Sequence, residues 1–137
     1  MKRFTAFTAA AAIVLAVVIS FSSCASAHPA KSESDITGFL SEYGVAVTGD
    51  CTRKTVTIPE EFGEVYEKYN DLQKQQGFDL YRYRSREAEV YTFDVVSVGG
   101  KHKSGAQAHV MVCDSVIIGC DIADTALSGE LVPIINR

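Results

Sequence analysis

Residues 108–122 read AHVMVCDSVIIGCDI. Two runs rich in β-branched residues, Ala108–Cys113 and Val116–Cys120, flank the pair Asp114-Ser115. Such runs around a two-residue turn mark a β-hairpin, and the turn favours Asp first although it usually takes Gly second. With Asp114 and Ser115 as the turn, Cys113 faces Val116, Met111 faces Ile118 and His109 faces Cys120, all on one face of the hairpin. Cys113 and Cys120 are then about four residues apart along the ladder, roughly 13 Å, whereas a disulfide needs Cα atoms about 4.4–6.8 Å apart. A bond between them would break this register.

Upstream, from Arg86, the period is again two: Tyr91, Phe93 and Val95 point one way, Val90, Thr92 and Asp94 the other. Val45, Val47 and Thr55–Ile58 read as a further strand, interrupted by the turn-like Thr48-Gly49-Asp50. Two segments have helical spacing instead. In the first, Ile36, Phe39, Leu40 and Tyr43 form one stripe, with Ser34 as N-cap and Gly44 suited to the left-handed conformation that ends a helix. The second follows Pro59: Phe62, Val65, Tyr66, Tyr69 and Leu72 make its apolar stripe, Glu60, Glu61, Glu64 and Glu67 crowd its dipole-positive first half, and Gly77 closes it. Residues 99–105 make a loose connection, and the tail after Asp121 supplies a last turn or cover. The order helix, strand, helix, then three or more strands implies an α+β fold. In it, two amphipathic helices pack on one face of a mostly antiparallel sheet of about four to five strands, and residues 34–137 form a single domain.

The N-terminus has a different character. Lys2 and Arg3 precede the run Ala9–Phe21, in which 12 of 13 residues are apolar, and the small residues Ser22, Ser23 and Cys24 follow. This is the pattern of a secretory signal peptide over residues 1–23, shorter than the roughly 20 apolar residues that span a bilayer. Phe21-Ser22-Ser23-Cys24-Ala25 resembles a lipobox, in which cleavage leaves Cys24 at the new N-terminus to carry lipid, with residues 24–33 as a flexible tether. Ala25-Ser26-Ala27 offers the alternative of an ordinary cleavage that releases a soluble chain starting at His28. Both readings export the protein; the first holds it on the outer face of the cell membrane. Removing residues 1–23 takes Lys2 and Arg3 from the 13 basic residues and none of the 17 acidic ones, so the net charge goes from −4 to about −6. That balance argues against a nucleic-acid partner, because phosphate binding rests on Lys and Arg.

With Cys24 lipidated, Cys51, Cys113 and Cys120 remain, an odd number in a compartment that permits disulfides. The bridges open to them are Cys51 with Cys113 or Cys51 with Cys120, and the alternative is three buried thiols. His109 across from Cys120 is the most enzyme-like pair, since an imidazole activates a thiolate, but no orienting carboxylate or oxyanion hole is identifiable beside it. Together with His102 the pair imitates a zinc set without its short ligand spacing, so neither metal nor cofactor is expected. The glutamates of the second helix fit a solvated face better than a calcium loop or a carboxylate pair across a cleft. Arg82, Arg84 and Arg86 alternate with Tyr81, Tyr83 and Ser85. In an extended segment the three guanidiniums project from one side, and with Lys101 and Lys103 they make an anion-binding patch for phosphate headgroups or a wall polymer.

The stretches FLSEYGVAV (Phe39–Val47), VTIPEEFGEVYEKYNDLQKQQGFDLYRYR (Val56–Arg84) and VYTFDV (Val90–Val95), with the hairpin quoted above, resemble the domain-of-unknown-function family 4830. The resemblance covers residues 35–134 and implies small exported or membrane-tethered relatives in Firmicutes, especially clostridia. Where many relatives have Asn-Gly or Asp-Gly at the turn and Gly-Gly-Asp after it, this chain has Asp114-Ser115 and Gly119-Cys120-Asp121. Cys113 and Cys120 are thus marked as local substitutions. The family supplies a cell-envelope setting and no reaction. The expectation is a non-enzymatic cell-envelope binding or accessory lipoprotein that meets membrane lipid through its N-terminus and an envelope protein or anionic wall polymer through its domain. The alternatives are a small exported enzyme using His109 and Cys120, and a structural protein without a ligand. Mass spectrometry of the mature protein is expected to find an acylated Cys24 at its N-terminus; a free amine on His28 would discard that reading.

Overall fold

The computed structural model describes residues 27–125 and 129–136, so the expected signal peptide and Cys24 lie outside the described residues. In chain order the elements are β1 (His28–Pro29), α1 (Glu33–Glu42), β2 (Val45–Thr57), α2 (Glu64–Gln75), a 3-10 turn (Leu80–Tyr83), β3 (Glu87–Val98), β4 (Lys101–His102), β5 (Ala106–Cys113), β6 (Val116–Asp124) and β7 (Glu130–Val132). The strands make one antiparallel sheet in the order β1-β6-β5-β3-β2, with β4 beside β3 and β7 beside β6. It has seven strands where about four to five were expected. The additions, β1, β4 and β7, are two or three residues long, too short for a period of two to show.

Asp114 and Ser115 form the hairpin turn, both with positive φ (49° and 60°), as a mirror-image turn requires. The register beyond it departs from the simple ladder. Cys113 pairs with Val116 and Val112 with Ile117, but Met111 pairs with Gly119, so Ile118 is an extra residue, a β-bulge. Val110 therefore faces Cys120, and His109 faces Asp121 instead of Cys120. The bulge has a packing reason. Ile118 is buried with Ile58, Leu80 and Met111, while Gly119 passes under α2, where an added Cβ would come 3.1 Å from Gln73 Oε1.

Both faces of the sheet are apolar, and the helices take one each instead of sharing a face. Tyr91, Phe93, Val95, Val110 and Val112 pack with Ile36, Phe39 and Leu40 of α1. Ala88, Met111, Cys113 and Ile118 lie on the other side with Phe62, Tyr66 and Tyr69. Alternation along β3 and β5 separates the two cores. Helix α1 begins earlier than Ser34: Ser32 is its N-cap, in a capping box with Asp35. The chain is already seated before that. β1 pairs with the start of β6, Ala30 N–H donates to Ser115 O (2.8 Å), and the His28 ring meets Phe39 at 4.8 Å. Of the expected tether over residues 24–33, residues 24–26 lie outside the described residues, while residues 28–33 are held by β1, its contacts and the start of α1.

Helix α2 differs most from its sequence pattern. It starts at Glu64, and Val65 of the supposed core stripe is 84% exposed. Its buried face is amide: Asn70 and Gln73, with Gln76 at the C-cap. The reason lies on the outer edge of β6, which β1 covers at residues 116–117 and β7 at residues 122–124. In the gap between them, Cys120 N–H donates to Gln73 Oε1 (2.9 Å) and Cys120 O accepts from Gln76 Nε2 (2.8 Å). Two glutamine side chains thus do what a neighbouring strand would do. Gln76 Oε1 also accepts from the backbone N–H groups of Ile134 (2.8 Å) and Ile135 (3.0 Å), tying in the tail. Gln73 Nε2 is buried without a partner in this arrangement. Replacing Gln76 by Ala leaves one buried carbonyl and two buried N–H groups unmet at about 1–3 kcal/mol each. Urea unfolding of Gln76→Ala is expected to show a loss of about 3 kcal/mol or more, against a change within about 0.5 kcal/mol for the exposed Gln75→Ala.

Candidate functional site

The bulge turns Asp121 onto the α2 face beside His109. His109 Nδ1 lies 2.8 Å from Asp121 Oδ1, and Tyr69 O–H of α2 donates to Asp121 Oδ2 at 2.9 Å. The carboxylate is 3% exposed and the imidazole 26%. A carboxylate only accepts, so Nδ1 carries the proton and Nε2 is the free ring nitrogen. A buried acid held by two donors, one of them a histidine on β5 and the other a tyrosine on α2, locks helix to sheet and fixes the imidazole's orientation. Burial, with Asp121 close by, pushes the Tyr69 phenol well above its ordinary range.

His109 and Tyr69 open onto a groove of about 340 Å³ that includes Val56, Tyr66, Val90, Met111 and Leu131. A second depression, of about 650 Å³, continues from Tyr66, Tyr69 and Leu131 along α2 to Val65, Leu72 and Gln75. The two share one apolar wall. Leu131 is 40% exposed on β7, which pairs on one side with β6. Aromatic rings extend the wall: Tyr66 lies 5.9 Å from Tyr69 and 4.6 Å from Phe62, and Phe62 lies 5.3 Å from Tyr81.

The pair expected to be most enzyme-like does not form. Cys120 lies in the α1 core, on the face opposite His109, and burial followed by the Asp121 charge pushes its thiol up, away from the thiolate a nucleophile needs. The orienting carboxylate that seemed missing is Asp121, next to Cys120 in the chain. Its sequence signal was available: a lone acid inside the apolar run VIIGCDI must be buried with partners. His102 stands opposite Ser97 and His109 opposite Thr92, about 16 Å apart along β3, and among the described residues no three metal-ligating side chains converge.

Cys51, Cys113 and Cys120 are free thiols. The register runs from Cys51 through Phe93 and Ala108 to Ile122, so Cys51 is three strand spacings, about 14 Å, from β6. Cys113 lies five residues from Ala108, roughly 17 Å along β5. Neither expected bridge to Cys51 is within reach.

The basic residues are not assembled into one patch either. Residues 80–83 coil as a 3-10 turn because Asp79 caps it and Asn70 Oδ1 accepts from Leu80 N–H at 2.8 Å. Arg82 stands 3.8 Å from Asp79, Arg84 stacks over Tyr81 at 3.9 Å, and Arg86 pairs with Asp114. Lys101 is opposite Val98, and Lys103 pairs with Asp124 at 2.6 Å, at the far end of β3 from Arg86. Glu64 pairs with Lys68 at 2.9 Å on the exposed side of α2, as a solvated face would.

The profile of a family described as "domain of unknown function (DUF4830)" matches residues 39–122, more than half of the chain, and the protein belongs to that family. Neither a curated protein nor a solved structure matches it. The matched span ends just past Asp121, so it includes Tyr69, His109 and Asp121.

The ionisation of Tyr69 and Cys120 sets an alkaline limit. Both are held neutral in the fold, with values raised above the ordinary 10.0 and 9.0. Unfolding lets them ionise, so their stabilisation is complete below pH 9 and is lost as pH rises above it. Urea unfolding is expected to show stability falling above pH 9, by up to about 1.4 kcal/mol per pH unit for each group. Tyr69→Phe should make the fall above pH 10 shallower; an unchanged slope would contradict the assignment.

Proposed function

We propose that this protein is a non-enzymatic binding module of the cell envelope, held by lipid at Cys24, and that its binding surface is the groove between α2, β5 and β7. The observation that carries this reading is an oriented imidazole, His109, at one end of an apolar wall made by the exposed Val65 and Leu131 and the half-buried Tyr66 and Leu72. Wet apolar side chains in a contiguous strip, with one fixed polar group, suit recognition. The charged neighbours of the groove are Asp71, Glu130 and Lys68, and the lysine is already paired with Glu64, a balance that offers an anionic wall polymer little and favours a protein segment. The length of the groove and the adjacent edge of β7 suit an extended apolar segment of another envelope protein, with an N–H or O–H donated to His109 Nε2.

An acid–base role needs a nucleophile or a bound water in line with His109; the Cys120 thiol lies in the other core, and Cys113, four residues along β5 from His109, is about 13 Å away. Binding is therefore the stronger reading. A photo-crosslinking residue placed at Val65 of the full-length protein in intact cells is expected to give one discrete adduct with an envelope protein. Leu131→Asp and His109→Ala should each reduce it at least fivefold. An adduct that survives both changes, or none from Val65 or Leu72, would overturn the groove as the binding surface.

A further inference from the structure

The way the chain joins the fold assigns a direction to the molecule. Cys24 and Ala27 are separated by three Cα steps, which span about 11 Å at most. From His28 onward there is no slack, because β1 is paired with β6 and the His28 ring sits among Phe39, Tyr43 (6.3 Å) and Phe78 (6.3 Å). Ala27 borders a depression of about 210 Å³ together with Phe78, Asp79, Arg82 and Tyr83. The Arg82 side chain is 76% exposed, and its contact with Asp79 is long.

We propose that this face, around Ala27, Phe78, Arg82 and Tyr83, lies against the membrane, with Arg82 in the headgroup layer of anionic lipid. The proposal rests on the reading of Cys24 as lipidated. A lipid chain at Cys24 sits in the bilayer, so a link of about 11 Å brings Ala27, and with it the depression, to the headgroups. Each arginine near an anionic surface strengthens contact by about fivefold. The Val65 end of the groove, opposite its Gln75 end, then faces away. Gly77 borders the membrane-side depression and Val65 stands at the other end of α2, 12 residues and about 18 Å away. Along β6, Ile117 borders the depression and Ala123 pairs with Leu131, six residues and about 20 Å further out. Both distances exceed the reach of the link.

The chain contains no tryptophan, so one introduced indole reports alone. Acylated full-length protein carrying Tyr83→Trp or Val65→Trp would be placed in vesicles of brominated phosphatidylcholine and phosphatidylglycerol at 7:3. Tryptophan fluorescence is expected to fall at least twofold at position 83 and to change little at position 65, and Arg82→Ser should weaken the quenching at 83. Should Tyr83→Trp fail to fold, Phe78→Trp reports the same face. Equal quenching at both positions, stronger quenching at 65, or none at either overturns the orientation. If mass spectrometry of the same protein still shows acylated Cys24, the lipoprotein reading survives that result; a mature chain without the lipid overturns both.

Discussion

The amide pair Gln73 and Gln76 against Cys120 is the contact on which the rest of this structure depends. A strand edge with bare N–H and C=O groups must be met by water, by another strand or by side chains. β6 has β1 at one end and β7 at the other, and α2 closes the interval with glutamines instead of apolar residues. The helix's place on the sheet is thereby fixed by directional bonds. That leaves its apolar residues free to face elsewhere: Tyr66 and Tyr69 half-buried over the sheet, and Val65 in water. The groove exists because the helix is held by its polar side.

One inserted residue then determines what the site contains. Ile118 occupies the bulge, and every residue after it on β6 changes faces relative to an unbroken hairpin. Without it, His109 would look at a thiol. With it, His109 meets Asp121 and, through it, Tyr69. The difference separates a nucleophile–base pair from an anchored imidazole, and it follows from packing, since Ile118 fills space beside Ile58 and Leu80.

These two features explain which parts of the fold could be read from the residues. The Asp114-Ser115 turn, the two faces of β3 and the stripe of α1 were legible because periodicity and turn chemistry are local. The bulge was not, because an extra residue in an all-apolar run alters no pattern. The inward face of α2 was not legible, because glutamine in a helix ordinarily marks solvent, and only the unfilled edge of β6, a feature far away in sequence, makes it an interior residue. The arginines of residues 82–86 looked extended by alternation, yet Asn70 and Asp79 coil that segment into a turn. Of the site, the residues single out His109 but point it at Cys120, while Asp121 reads as the start of the tail and Tyr69 as part of a helical stripe.

The span from Gln76 to Ile134 and Ile135, 58 and 59 residues, also bears on when the molecule closes. Synthesis runs from the N-terminus, so α2 emerges long before the amides that its C-cap glutamine requires. The seam cannot be completed until residues 134 and 135 have followed. The same glutamine that pins the helix thus ties its seating to a much later part of the chain.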